Sequence, residues 1–267
     1  MRYFDERVDR FADQCRRQPV TQEPWRLRPD LGTLSGAASS YWVSASIVGV
    51  AKPLKPDNCP FAAHEKIASD LAYDLPLPVP PVTLWDRGPL STGDCQYVSI
   101  SAVPFPQPRE WGKINGDPTL RSLTDSIRRR MSSAMSAMLV FDAWVHNTDH
   151  DNHPGNLLVS ADPDETSPLR FAYIDYSYSM NHSWPNNEWS GVSCPPPYDR
   201  HVPVNTDVIR ETAQRVQELP EANIREIIER IPAEYVSDPD QSKRKLVTGL
   251  LDRQRRITEI LRTRHAI

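Results

Sequence analysis

Proline restricts this chain more than any other residue, taking 26 of 267 positions against 10 for glycine. Each proline fixes φ and lacks an N–H donor, so helix interiors and central strands exclude it. The prolines gather at Pro76, Pro78, Pro80 and Pro81, at Pro104, Pro106 and Pro108, and at Pro195, Pro196 and Pro197. Regular elements are confined between these clusters and joined by stiff connections. The length suits one large domain or two small lobes, each with a modest core. With 39% hydrophobic and 25% charged residues, the fibrous and disordered classes drop out.

The segments between the prolines differ in character. From Trp25 to Val103, β-branched and aromatic runs dominate, at Tyr41–Val43, Ile47–Ala51, Pro81–Trp85 and Cys95–Val103. One helix interrupts them, because Ala63, Ile67, Ala68, Leu71 and Ala72 recur at helical spacing within Phe61–Tyr73. The prolines from Pro76 onward forbid its continuation. Pro104-Phe105-Pro106-Gln107-Pro108 reads as a connection between lobes, dividing the chain into 1–103 and 104–267. Beyond it, Ile127, Met131, Met135, Met138, Leu139 and Trp144 predict a long buried helix over Ser122–Val145, the methionines filling core. A hairpin is expected from Asn156–Val159 and Leu169–Ile174, an irregular stretch over Asn181–Pro203, and helices over Asp207–Leu219, Glu221–Ile231 and Ser242–Arg262. The expected fold class is α+β and bilobal, a strand-rich lobe with one helix followed by a mainly helical lobe.

Thirty-one basic residues against 35 acidic ones give a net charge of −4, which provides no general field for a nucleic-acid backbone. Arg128-Arg129-Arg130 and the basic stretch Lys243–Arg256 read as solvated helix faces. The apolar run Ala134–Val145 is too short to span a bilayer, and Met1–Arg7 lacks the apolar core of a secretory signal. Cys15, Cys59, Cys95 and Cys194 are scattered, with no CxxC pair, and fit reduced thiols. The expectation is a cytoplasmic protein.

Trp144-Val-His-Asn-Thr-Asp-His-Asp-Asn-His-Pro-Gly-Asn156 is a polar loop dense in carboxylate, amide and imidazole, set between an apolar helix and an apolar strand. Asp175 ends the hydrophobic run Phe171–Ile174, where a charge needs a partner. A base, an amide oxygen and a second carboxylate on a loop and the following hairpin make a compact site for a divalent cation and a hydroxyl nucleophile. Phosphoryl transfer also needs positive charge near the phosphates. Lys52 supplies it at the end of Ile47–Ala51, and Glu65 in the next helix is placed to hold that ammonium. Leu34–Ser40, with Ser35, Gly36 and Ala37, is a loop of small residues able to approach phosphates, although no Walker motif is present.

The order of small-residue loop, Val-Ala-Lys52, Ala-His-Glu65, the Pro-Val-Pro-Pro strand, Asn-Thr-Asp149, Pro-Gly-Asn156-Leu-Leu-Val and Tyr-Ile-Asp175-Tyr resembles the HipA-like protein kinases, over nearly the whole chain. The resemblance implies a kinase-like fold that binds ATP with magnesium and phosphorylates serine or threonine of a protein. It implies that Lys52 contacts the ATP phosphates, Glu65 pairs with Lys52, Asp149 deprotonates the hydroxyl, and Asn156 and Asp175 hold magnesium. Backbone groups of Ser99–Val103, among them Ser101, Ala102 and Val103, would meet adenine. Ser35, Ser39 and Ser40 become candidates for autophosphorylation, and an antitoxin or other regulatory partner is implied, without direct nucleic-acid contact. One departure matters: Asp151 stands at the family's usual five-residue spacing from Asn156, whereas Asp149 stands seven away. Asp149 is favoured for its Asn-x-Asp context, and Asp151 stays a competitor.

Other readings stay open at this level. His146, His150 and His153 are spaced for zinc, although in a loop without an HExxH helix. Asp175 alone can also be read as a structural acid, and Lys52 alone as a surface lysine. A lipid or small-molecule kinase of the phosphoinositide-kinase type shares the Asn-x-Asp loop. A nucleotide-binding pseudokinase is the third reading, motivated by the insertion before Asn156.

Overall fold

The computed structural model describes residues 4, 6–21, 23–31, 40–53, 60–86, 97–106, 108–150, 153–160, 169–180, 194 and 202–263. Helix α1 (Glu6–Arg17) leads into strands β1 (Val20–Thr21), β2 (Arg26–Leu27), β3 (Tyr41–Ser44) and β4 (Val48–Pro53). Helix α2 (Phe61–Asp74) follows, then β5 (Val82–Asp86) and β6 (Tyr97–Ala102). These six strands form one sheet in the order β1-β5-β6-β4-β3-β2, antiparallel except where β1 runs parallel to β5. The four longer strands lie where the β-branched and aromatic runs predict them. Gly49 is required where β4 meets β6, because a Cβ there would sit 2.7 Å from Ile100 Cγ2.

Beyond the proline-rich connection come β7 (Arg109–Glu110), α3 (Trp111–Asn115), the long helix α4 (Arg121–Val145), β8 (Leu157–Val159) and β9 (Phe171–Tyr173). Strand β8 lies between β7 and β9, antiparallel to both. Helices α5 (Thr206–Glu218), α6 (Glu221–Glu229) and α7 (Pro239–Arg262) complete the helical part. Their starts are sharp for local reasons. Asn205 accepts the N–H groups of Asp207 and Val208, and Asp238 caps α7 beside Pro239 at its first turn. The expected stripe of α4 is buried, with Ile127, Met131, Met138 and Trp144 at 0–1% exposure. The fold is thus α+β, as expected. Among the described residues no helix is long and apolar enough to cross a membrane.

One hydrophobic core joins α2 to α4, the β8–β9 hairpin and α5–α7, and a smaller one lies between α1 and the sheet. Helix α1 was not among the elements expected from the sequence. Val8, Phe11, Ala12 and Cys15 form an apolar stripe at helical spacing on a polar background, and Phe11 packs edge-on against Trp25. Cys15 and Cys194 are buried free thiols, and burial pushes the Cys15 thiol up to about 12, leaving it unreactive. Cys59, Cys95 and most of the expected irregular stretch lie outside the described residues.

Lys66 ties α1 to α2. It is fully buried, donating to both carboxylate oxygens of Asp70 at 2.6 and 2.7 Å and to the Cys15 carbonyl at 3.1 Å. A Lys66→Met variant leaves a buried carboxylate without its cation, and is expected to lose about 3–5 kcal/mol of stability. Adding Asp70→Leu is expected to restore most of it, because an apolar pair needs no solvation. Urea unfolding midpoints at constant slope check both.

Candidate active site

Three elements distant in sequence meet at Lys52. Its Nζ lies 2.5 Å from Glu65 Oε1 on α2 and 3.0 Å from Asp175 Oδ1 just past β9. Glu65 is 3% exposed, so its carboxylate needs partners, and it has more than Lys52. Ser177 Oγ donates to Oε1 at 2.7 Å, and Ser99 Oγ, opposite Lys52 in the β4–β6 register, donates to Oε2 at 3.2 Å. His64 Nδ1 lies 3.1 Å from the Ser177 carbonyl, binding α2 again to the segment after Asp175. Burial opposes charge on Lys52, but the carboxylates of Glu65 and Asp175 outweigh it and raise its pKa. Burial likewise opposes charge on Asp175, yet Lys52 and Ser177 hold its carboxyl down at about 2. Both groups are therefore ionised at neutral pH.

The polar loop is set by the end of α4. His146 adopts the left-handed conformation, φ 54°, and turns the chain out of the helix. Buried Arg253 of α7 donates to the carbonyls of Ala143 and Trp144, which the helix itself leaves unsatisfied. Burial, then Arg253, pushes His146 down to about 4, so its ring is neutral. Asn147 accepts the Asp149 N–H at 3.1 Å. Asn156 Nδ2 donates to Asp149 Oδ2 at 3.1 Å, and His153 Nδ1 lies 2.7 Å from Asp149 Oδ1. The β8–β9 register pairs Leu157 with Tyr173, and the Ile174 N–H donates to the Asn156 carbonyl at 2.9 Å, so Asn156 and Asp175 occupy the same end of the hairpin. His150 joins this end to α4. Its Nδ1 is 2.9 Å from Asp142 Oδ2 and its Nε2 3.0 Å from the Ile174 carbonyl. Burial opposes charge on the ring, and Asp142 outweighs it to raise the pKa.

The donor set fits magnesium. Asp175 is an ionised carboxylate, and because Asn156 turns its amide nitrogen to Asp149, its amide oxygen points elsewhere, a second hard oxygen donor. The three histidines of the loop have separate surroundings: His150 between Asp142 and Ile174, His153 beside Asp149, and His146 near Arg253. Among the described residues no group of three or more His, Cys, Asp or Glu side chains is placed to hold a metal.

Ser101 lines a narrow pocket with Glu65, Val82 and Asp175. The N–H of Ala102 donates to the Pro81 carbonyl and that of Val103 to the Val48 carbonyl, so an adenine contact at either residue would use another backbone group. Ser35, Gly36, Ala37, Ser39 and Asp151 lie outside the described residues, and Ser40 immediately precedes β3. Sequence reasoning assigned Asp142, Ser177 and Arg253 no part in the site, offered His150 only as a zinc-spaced histidine, and offered Ser99 only for its backbone. Asp142 carried a signal, an acid in the otherwise apolar turns that end α4. A cavity of about 410 Å³ between α1 and α2, lined by Asp13, Asp70, Tyr73 and Leu77 among others, contains none of the site residues.

No protein-family model matches the sequence, and no curated protein matches it either. Solved structures do. The Helicobacter pylori proinflammatory kinase CtkA matches with a TM-score of 0.61 at 16% identity, over 90% of this chain and 95% of that one. HipA from Shewanella oneidensis MR-1, in a toxin–antitoxin complex with HipB and operator DNA, matches with a TM-score of 0.50 at 12% identity, over 88% of this chain and 68% of that one. Both are HipA-like kinases, and this chain has their fold.

Proposed function

We propose that this chain is an ATP- and magnesium-dependent phosphotransferase of the HipA-like type, transferring phosphate to serine or threonine of a protein. The observation that carries the reading is the convergence of Lys52, Glu65 and Asp175 in one ion-pair network, beside a loop in which Asn156 holds Asp149. The kinase-like fold supports it. Glu65 and Asp175 keep the Lys52 ammonium charged and aimed at the phosphate oxygens. Asp149 accepts the proton of the attacking hydroxyl, oriented by Asn147 and Asn156. Asn156 and Asp175 would hold magnesium, which would supply charge neutralisation at the phosphates. Lobes 1–103 and 104–267, adenine along the backbone of Ser101, Ala102 and Val103, autophosphorylation at Ser35, Ser39 or Ser40, a cytoplasmic setting and a regulatory partner of the antitoxin kind belong to the same proposal.

The test is incubation of the purified protein with magnesium and γ-labelled ATP, with and without EDTA. The expected result is label on serine or threonine, mapped by mass spectrometry and abolished by EDTA. Label on phosphoinositide vesicles and none on protein would replace this reading with a lipid kinase. Tight ATP binding without transfer to either would replace it with a nucleotide-binding interaction module.

A further inference from the structure

His150 stands one residue past Asp149 and is 2% exposed. Both atoms facing its ring nitrogens are acceptors: the Asp142 carboxylate at 2.9 Å and the Ile174 carbonyl at 3.0 Å. An imidazole satisfies two acceptors only when both nitrogens carry hydrogen, and the Asp142 charge balances that form. The rings of Tyr173 and Tyr176 pack around it with centroids 5.8 and 4.8 Å away, the second edge-on, which fixes the plane of the imidazole.

Its second partner gives this brace a role. Ile174 is held from both sides, its N–H by the Asn156 carbonyl and its C=O by His150. The next residue is Asp175, whose backbone takes the left-handed value φ 67°. For a residue with a Cβ that conformation is strained and persists only where the surroundings impose it. Asp142 lies in α4, the helix that also launches the polar loop. A single imidazole thus refers the Asp175 backbone to the same helix that sets Asp149.

We propose that His150 is a positioning residue that clamps the Ile174 peptide to α4 through Asp142, fixing the Asp175 carboxylate relative to Asn156 and Asp149. Its catalytic consequence rests on the phosphotransferase reading above, whereas the clamp does not. A His150→Phe variant keeps the ring and its packing but removes both N–H donors. Hydrogen exchange at the amides of 171–177 is expected to quicken at least about tenfold, those of α5–α7 remaining as in the wild type. In the labelled-ATP assay, kcat is expected to fall about 10–100-fold, as for other groups that orient metal ligands, with the magnesium requirement raised and KM for the protein substrate unchanged.

Unchanged exchange over 171–177 would overturn the clamp whatever the activity. Faster exchange with unaltered kcat and magnesium requirement would overturn its role in catalysis. A wild type that transfers no phosphate defeats the kinase reading, and exchange still decides the clamp. Should His150→Phe fail to fold, nitrogen-15 NMR of His150 in the wild type decides: two protonated ring nitrogens support the clamp, and a bare Nε2 facing Ile174 overturns it.

Discussion

An Asp149→Asn variant is expected to transfer phosphate about 10²–10⁴-fold more slowly than the wild type, with ATP affinity unchanged. The substitution keeps the shape of the side chain and an oxygen for Asn156, but an amide does not take up the proton of an attacking hydroxyl. Asp149 is firmly placed for the role proposed for it. Its N–H goes to Asn147, one carboxylate oxygen receives Asn156 and the other faces His153, and its side chain is only 14% exposed. Single-turnover rates with labelled ATP, beside nucleotide binding by calorimetry, measure the two quantities separately. Asp151→Asn is the necessary comparison, because Asp151 keeps the family's five-residue spacing to Asn156. It is expected to stay within roughly threefold of the wild type, as a residue outside the reacting group does. The reverse result would move the base to Asp151 and leave Asp149 as the support of Asn156.

The largest effect on stability is expected at Arg253, a residue with no part in the chemistry. It is 1% exposed, and Nε and Nη2 donate to the carbonyls of Ala143 and Trp144 at 2.5–3.1 Å. Burial lowers the pKa of its guanidinium to about 10, so it stays cationic at neutral pH. Arg253→Met keeps much of the aliphatic volume but leaves the last carbonyls of α4 buried without donors. Two charge-assisted bonds at about 1.5–3 kcal/mol each give an expected loss of about 3–6 kcal/mol. For a chain of this size, at about 2–4 °C per kcal/mol, that lowers Tm by roughly 6–24 °C, readable by calorimetry. Since the same carbonyls precede His146 and Asn147, activity at low temperature is expected to fall as well. Neighbouring Gln254 does the same for α5, donating to Val216 and Leu219, so an Arg253 variant tests one half of how α7 terminates two other helices.

Most of the regular structure was legible from local pattern. The β-branched runs marked β3 to β6, periodicity marked α2, α4, α5, α6 and α7, and the proline clusters marked where they stop. Strands β1 and β7 were not legible, since two residues carry no alternation and their state follows from pairing with β5 and β8. The stripe of α1 was present in the residues, at Val8, Phe11, Ala12 and Cys15, but in so polar a helix only the sheet it covers gives it meaning.

The candidate site divides along the same line. Lys52, Glu65, Asp149, Asn156 and Asp175 were identifiable because charged and amide residues at the ends of apolar elements have few purposes, and because their order resembles that of a known family. Their partners had no such mark. Ser99 and Ser177 are ordinary hydroxyls until folding places both on Glu65. His150 reads as one of three loop histidines until Asp142 and Ile174 stand on either side of its ring. Sequence by itself determined which groups the protein has available for the chemistry and which segments are helix or strand, since both depend on residue type and near-neighbour spacing. Only the tertiary structure decided which buried polar atoms answer one another, because those pairs join residues as far apart in sequence as Glu65 and Ser177 and are selected by the cost of leaving either member unsolvated.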